Sequence, residues 1–182
     1  TTKIGKTLQI LYLSFNNLEE FPDTWAIRNM LKLGLLDLAN NNIKKVHAFG
    51  KEVELASLYL NNNQIEEIPA DLCGFSDNTE SLNFSYNKLK KIPNIFDASS
   101  VHVMGSVDFS NNEITGVDNV GGYKGINASS VSLANNRISK FPSELISAGS
   151  PITTLDLSAN QMTTIPKGSI RGKNAKLLQV VD

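Results

Sequence analysis

The chain has 182 residues, 41% hydrophobic and 19% charged, with a formal net charge of -1. That is the size and composition of an ordinary soluble domain, and the near-neutral balance argues against a nucleic-acid binder, which needs clustered Lys and Arg. No apolar run approaches the ~18 residues of a membrane-spanning helix, and the single cysteine, Cys73, leaves no internal disulfide and no cysteine-based zinc site.

From the N-terminus, Thr1 to Gly5 lacks the basic-then-apolar pattern of a signal peptide, which leaves the compartment open. Leu8, Leu11 and Leu13 then lead to Asn16, with Leu18 after it. Asp23 to Met30 predicts a short helix with Trp25 and Ile27 turned inward. The first pattern returns as Leu33, Leu36, Leu38, Asn41 and Ile43, and again as Leu55, Leu58, Leu60, Asn63 and Ile65. It continues around Asn87 (Leu82, Phe84, Leu89), Asn112 (Val107, Phe109, Ile114) and Asn136 (Val131, Leu133, Ile138). It closes around Asn160 with Ile152, Leu155, Leu157 and Met162. The seven anchors are 25, 22, 24, 25, 24 and 24 residues apart. They account for a third of the 21 asparagines, and others stand beside them at the starts of loops, as in Asn40–Asn41–Asn42. Three residues past the motif an apolar side chain recurs, followed by proline in five copies: Pro22, Pro69, Pro93, Pro142 and Pro166. Ser143 to Ser147 predicts one helical turn, and Gly121, Gly122 and Gly125 predict an irregular segment. Leu178 to Asp182 begins another strand, with Val181 and Asp182 echoing Leu155 and Asp156.

The spacing has a physical reading. Each x-L-x-L-x core alternates and predicts a short strand with two inward leucines. One such unit cannot bury its apolar side, so the units stack into a continuous core behind a parallel sheet. An anchor asparagine has both donor and acceptor, and can satisfy loop backbone groups that would otherwise be buried unpaired.

The motif L-x-x-L-x-L-x-x-N-x-L, repeated seven times over nearly the whole chain, resembles the leucine-rich repeat family. The resemblance implies an α/β solenoid, a right-handed horseshoe with a concave parallel sheet and short helical turns or coil on its convex side. It also implies that Asn16, Asn41, Asn63, Asn87, Asn112, Asn136 and Asn160 form a ladder inside the solenoid. The 24-residue proline-bearing class is similar to that of extracellular and bacterial surface proteins, with a cytoplasmic setting as the alternative. Residues 1–182 read as a single repeat domain. Neither end carries an amphipathic cap, so the expectation is a piece of a longer array.

After the anchors the charges alternate: Glu19–Glu20, Lys44–Lys45, Glu66–Glu67, Lys90–Lys91. Strand spacing of roughly 5 Å puts acidic pairs beside basic ones, an arrangement that sets stacking register rather than a single-sign field.

On the concave face the outward positions include Tyr12, Asp37, Tyr59, Asn83, Asp108, Ser132 and Asp156 in one row, and Phe15 and Tyr86 among the loop starts. The residues between these two rows, such as Ser14, Ala39, Ser85 and Ser110, are expected to face outward as well. Aromatic and aliphatic residues (Ile10, Tyr12, Phe15, Leu35, Tyr59, Tyr86) gather in the first four repeats, where tyrosine favours protein contact. Tyr12, Phe15, Asp37, Tyr59, Asn83, Tyr86, Asp108 and Asp156 are therefore the candidate ligand-binding residues, for a protein or peptide. A recognition arm of a larger enzyme or signalling protein, and a carbohydrate-binding surface, are the alternatives.

No enzyme, metal or cofactor is expected. Asp108 and Asp156 stand roughly 10 Å apart by strand spacing, near the separation used by inverting glycosidases, but an open sheet offers no apolar wall to raise an acid's pKa. His47 and His102 are separated in repeat phase, and Cys73 reads as a small core residue. Asn83–Phe84–Ser85 and Asn127–Ala128–Ser129 are acceptor sequons of a kind that 21 asparagines supply by chance.

Overall fold

A computed structural model describes residues 3–22, 24–48, 50, 52–72, 74–75, 79–93, 95, 103–117, 126–146, 151–169 and 179–180. Its strands, numbered along the chain, are β1 (Ile10–Tyr12), β2 (Leu35–Asp37), β3 (Glu54–Leu55), β4 (Ser57–Tyr59) and β5 (Gly74–Phe75). They continue as β6 (Ser81–Asn83), β7 (Met104–Asp108), β8 (Ala128–Ser132), β9 (Thr154–Asp156) and β10 (Gln179–Val180). Eight of them form one parallel sheet in chain order, β1-β2-β4-β6-β7-β8-β9-β10. Helix is scarce among the described residues: α1 (Thr24–Arg28) and single 3-10 turns at Lys3–Lys6 and Ser143–Ile146. The molecule is a solenoid of stacked coils.

The register follows the leucines. Leu11, Leu36, Leu58, Leu82, Val107, Val131 and Leu155 lie in one line across the sheet. From Leu36 onward they are at most 3% exposed. Behind them a second line, Leu38, Leu60, Phe84, Phe109 and Leu133, is fully buried. Where two phenylalanines replace leucine in adjacent coils, Phe84 and Phe109 stack with centroids 5.3 Å apart and planes at 11°. No coil could bury these side chains alone, so each depends on its neighbours.

Three details differ from the sequence reading. The predicted helix is shorter: α1 is Thr24–Arg28, and Asn29 and Met30 follow in a turn whose N–H groups donate to Ala26 and Ile27 at 3.3 and 2.8 Å. Ile27 is buried within it, while the side chain of Trp25 lies outside the described residues. At the last strand Val180, not Val181, pairs with Leu155. Both are apolar valines, so the pattern offered no choice between registers. A second, two-residue parallel pair, β3 with β5, forms a separate sheet. Gly121, Gly122, Gly125, His102, Cys73 and the end of the Ser143–Ser147 turn lie outside the described residues.

Six anchors join coil to coil, five of them buried and Asn160 half-buried. In Asn41, Asn63, Asn87, Asn112, Asn136 and Asn160, Oδ1 accepts a backbone N–H of the preceding coil at 2.9–3.0 Å. The donors are Leu18, Ile43, Ile65, Leu89, Ile114 and Ile138. Each Nδ2 donates to a carbonyl of the preceding coil, Leu13, Leu38, Leu60, Phe84, Phe109 or Leu133, at 2.9–3.0 Å. It also reaches two carbonyls of its own turn, as Asn87 does to Phe84 and Ser85 at 3.1 Å. Asn16 in the first coil is exposed, and among the described residues its Nδ2 donates only within its turn, to Leu13 and Ser14.

Coils approach closely at one glycine. A Cβ on Gly105 in β7 would stand 2.4 Å from the carbonyl oxygen of Glu80, which is backbone and cannot swing aside. Gly105→Ala is therefore expected to lower stability by about 1–3 kcal/mol, the usual range for overpacking. The check is a fall in the urea midpoint; an unchanged midpoint would mean that the two coils separate freely at this point.

Candidate functional site

The solvent side of the sheet presents two rows of side chains, and local backbone geometry dictates what suits each. The first row is Tyr12, Asp37, Tyr59, Asn83, Asp108, Ser132 and Asp156, in register through β9. Four of these side chains cap the turn that follows. Oδ1 of Asp37, Asn83, Asp108 and Asp156 accepts the N–H two residues on, from Ala39, Ser85, Ser110 and Ser158, at 2.8–2.9 Å. In Asn83 and Asp156 the same oxygen also accepts a serine hydroxyl at 2.7 Å. These are Asx turns, for which a short carboxylate or amide is required. The phenol of a tyrosine is too long to serve.

The second row directly precedes the anchors: Phe15, Asn40, Asn62, Tyr86, Asn111, Asn135 and Ala159. All seven have positive φ, between 51° and 56°. Six are pinned there by a backbone N–H that donates to the next coil at 2.9–3.1 Å, as Tyr86 donates to Ser110. Asparagine tolerates this left-handed conformation better than any residue but glycine, whereas for a bulky side chain it is an outlier. Four of the seven are asparagine, and two are aromatic.

The aromatics do not recover this cost by packing. Phe15 is 82% exposed, Tyr12 65% and Tyr86 56%. Tyr59 is half-buried, beside Asp37 in the first row. Ile10 is exposed, and Leu35 opposite it is half-buried. The sheet thus brings all eight candidate residues to one side: Tyr12, Phe15, Tyr59 and Tyr86 as an aromatic patch in the first four coils, and Asp37, Asn83, Asp108 and Asp156 as turn caps beside it. The residues between the rows correct the sequence reading. Ala39, Ser85 and Ser110 are at most 9% exposed, because the chain already curls inward there towards the anchor, while Ser14 is half-buried.

The charge pairs occupy an edge of the coils. Lys91 lies 3.3 Å from Glu67, Lys90 4.0 Å from Glu66, and Arg137 3.2 Å from Glu113. The first two pairs have side chains at least 65% exposed, so each contributes about 0–1 kcal/mol. Lys91→Gln should lower stability by less than about 1 kcal/mol at low salt, and the difference should vanish at molar salt. Thermal melts at both ionic strengths check this. His47 is exposed and lines an open groove of about 670 Å³ with Lys44, Lys45, Glu66 and Glu67. Among the described residues no three His, Cys, Asp or Glu side chains converge on a metal site, and no helix is long and apolar enough to cross a membrane.

Stacked coils, a parallel sheet and a buried asparagine at five successive turns define a repeat solenoid. The family model for leucine rich repeats matches residues 6–65. A leucine-rich repeat protein from Bacteroides eggerthii superposes with a TM-score of 0.87 at 48% identity, covering 98% of this chain and 31% of that one. Another from Bacteroides thetaiotaomicron gives 0.85 at 53% identity over 94% of this chain and 22% of that one. Rat lumican is 30% identical over 166 residues, which is 88% of this chain and 46% of lumican. The chain is a leucine-rich repeat protein. It spans under half the length of these relatives.

Proposed function

We propose that this solenoid is a non-catalytic recognition module that binds a protein or peptide on the solvent side of its sheet, with the first four coils as the contact region. One observation carries the reading. At four positions where the repeat's own backbone favours Asp or Asn, the chain places an aromatic instead: Tyr12, Phe15, Tyr59 and Tyr86. At Phe15 and Tyr86 the left-handed backbone is not repaid by packing, which points to function, and tyrosine is enriched among the hot spots of protein contact. The capping carboxylates support a non-catalytic reading, since Asp108 and Asp156 each have an oxygen committed to a backbone N–H. We place the module outside the cell or on its surface, on the strength of its 24-residue proline-bearing repeat.

The test is a random-peptide display library selected on the wild-type protein. Peptides so enriched should bind at least about tenfold more weakly to a variant with Tyr12, Phe15, Tyr59 and Tyr86 all changed to Asn, a loss typical of hot-spot residues. Equal binding to the two proteins would move the site elsewhere.

A further inference from the structure

The chemistry of the partner can be taken a step further from the composition of the sheet. The whole chain balances 17 Lys and Arg against 18 Asp and Glu. The eight strands of the main sheet do not share that balance. They contain no Lys or Arg, and their charged residues are Asp37, Asp108 and Asp156, all in one row. Basic side chains are kept to the edges and loops, where Lys90, Lys91 and Arg137 meet acidic partners.

Within that row one place has more than charge. Tyr12, Asp37 and Tyr59 sit in direct register on three adjacent strands, β1, β2 and β4. Strand spacing sets the two tyrosines about 10 Å apart at the backbone with the carboxylate between them. Asp37 has Oδ1 committed to the N–H of Ala39, and Oδ2 takes no part in that bond. Two tyrosines in register on either side of a carboxylate make a combination that attracts a cation. Arginine fits it best: its planar guanidinium stacks on aromatic rings and hydrogen-bonds a carboxylate together. Ile10, Leu35 and Phe15 supply apolar surface beside the triplet for the methylene stem of such a side chain.

We infer that the Tyr12–Asp37–Tyr59 triplet is a cation-recognition subsite that holds an Arg or Lys side chain of the bound polypeptide. The inference rests on the reading that this face binds a peptide. Its sharpest variant is Asp37→Asn. Asn83, in the same row, shows that an amide caps the turn through the same Oδ1 contact at 2.9 Å, so this substitution removes the charge and keeps the fold.

The test uses the peptides enriched on the wild-type protein, resynthesised with each Arg and Lys changed in turn to Gln. One such change is expected to weaken binding about 5–10-fold, the combined scale of a cation–π contact and a part-exposed ion pair. Asp37→Asn should produce the ion-pair part of that loss, up to about fivefold, and the two changes together should cost no more than the loss of the Arg or Lys alone. Peptides that depend on the aromatic residues but carry no basic residue, and ignore Asp37→Asn, would overturn the subsite while leaving the binding face in place. Neutral oligosaccharides that bind and are lost on Tyr59→Asn, with no response to Asp37→Asn, would overturn it as well. Peptides indifferent to the aromatics would overturn both the subsite and the reading beneath it.

Discussion

Asn87→Ala is expected to cost about 3–5 kcal/mol, a large share of the stability of a domain this size. The side chain is only 9% exposed and makes four hydrogen bonds. It accepts from Ile65 and donates to Leu60 in the coil before, and to Phe84 and Ser85 in its own turn. Truncation orphans the Ile65 N–H and leaves the carbonyls short of a donor, and each buried unsatisfied group costs about 1–3 kcal/mol. Asn87→Asp should be as damaging, because it replaces the donor with a second side-chain oxygen facing three carbonyls. Asn16→Ala, by contrast, should cost under about 1 kcal/mol, since that exposed side chain bonds only within its own turn. Urea denaturation of the three variants measures the gap. Equal losses at Asn16 and Asn87 would mean that the ladder does not couple the coils.

Changing Tyr12, Phe15, Tyr59 and Tyr86 together to Asn is expected to raise stability by roughly 2–4 kcal/mol while removing ligand binding. Left-handed backbone costs an L-residue about 1–2 kcal/mol, part of which asparagine recovers at positions 15 and 86. At positions 12 and 59 the new amide can cap the turn as Asn83 does, a hydrogen bond with a net contribution of about 0.5–1.5 kcal/mol. A gain in stability coupled to a loss of function is the signature of residues kept for binding. The melting temperature and the peptide affinity are read on the same preparation. A variant that melts lower would show that the aromatics hold the sheet together, and the binding reading would lose its support.

The fold was legible because it is written in spacing. Seven asparagines at intervals of 22 to 25 residues leave one stacking solution, and the inward leucines between them set the strand register. What escaped was written in backbone conformation. Asn40, Asn62, Asn111 and Asn135 were visible as neighbours of the anchors, yet their shared role is to adopt φ near 55°. The signal was available, since asparagine is enriched in that region. Likewise Asp37, Asp108 and Asp156 read as surface carboxylates, while their capping bonds depend on a turn that sequence spacing does not reveal. The pairing of β3 with β5 involves two residues on each strand and carries no periodic signature. The step from Val181 to Val180 at the last strand is a choice between two like residues. The aromatic patch could be seen in sequence, but its cost could not, because the cost is defined only against the geometry of neighbouring coils.

The most direct measurement of the central claim is the urea midpoint of a single variant, Tyr86→Asn. This position lies between Asn62 and Asn111 in the flanking coils, both at φ 55°, so the substitution makes three successive turns alike. If the aromatic is retained against the preference of the backbone, the midpoint rises. If it falls, Tyr86 stabilises the solenoid on its own account, and its exposure is not evidence of a partner.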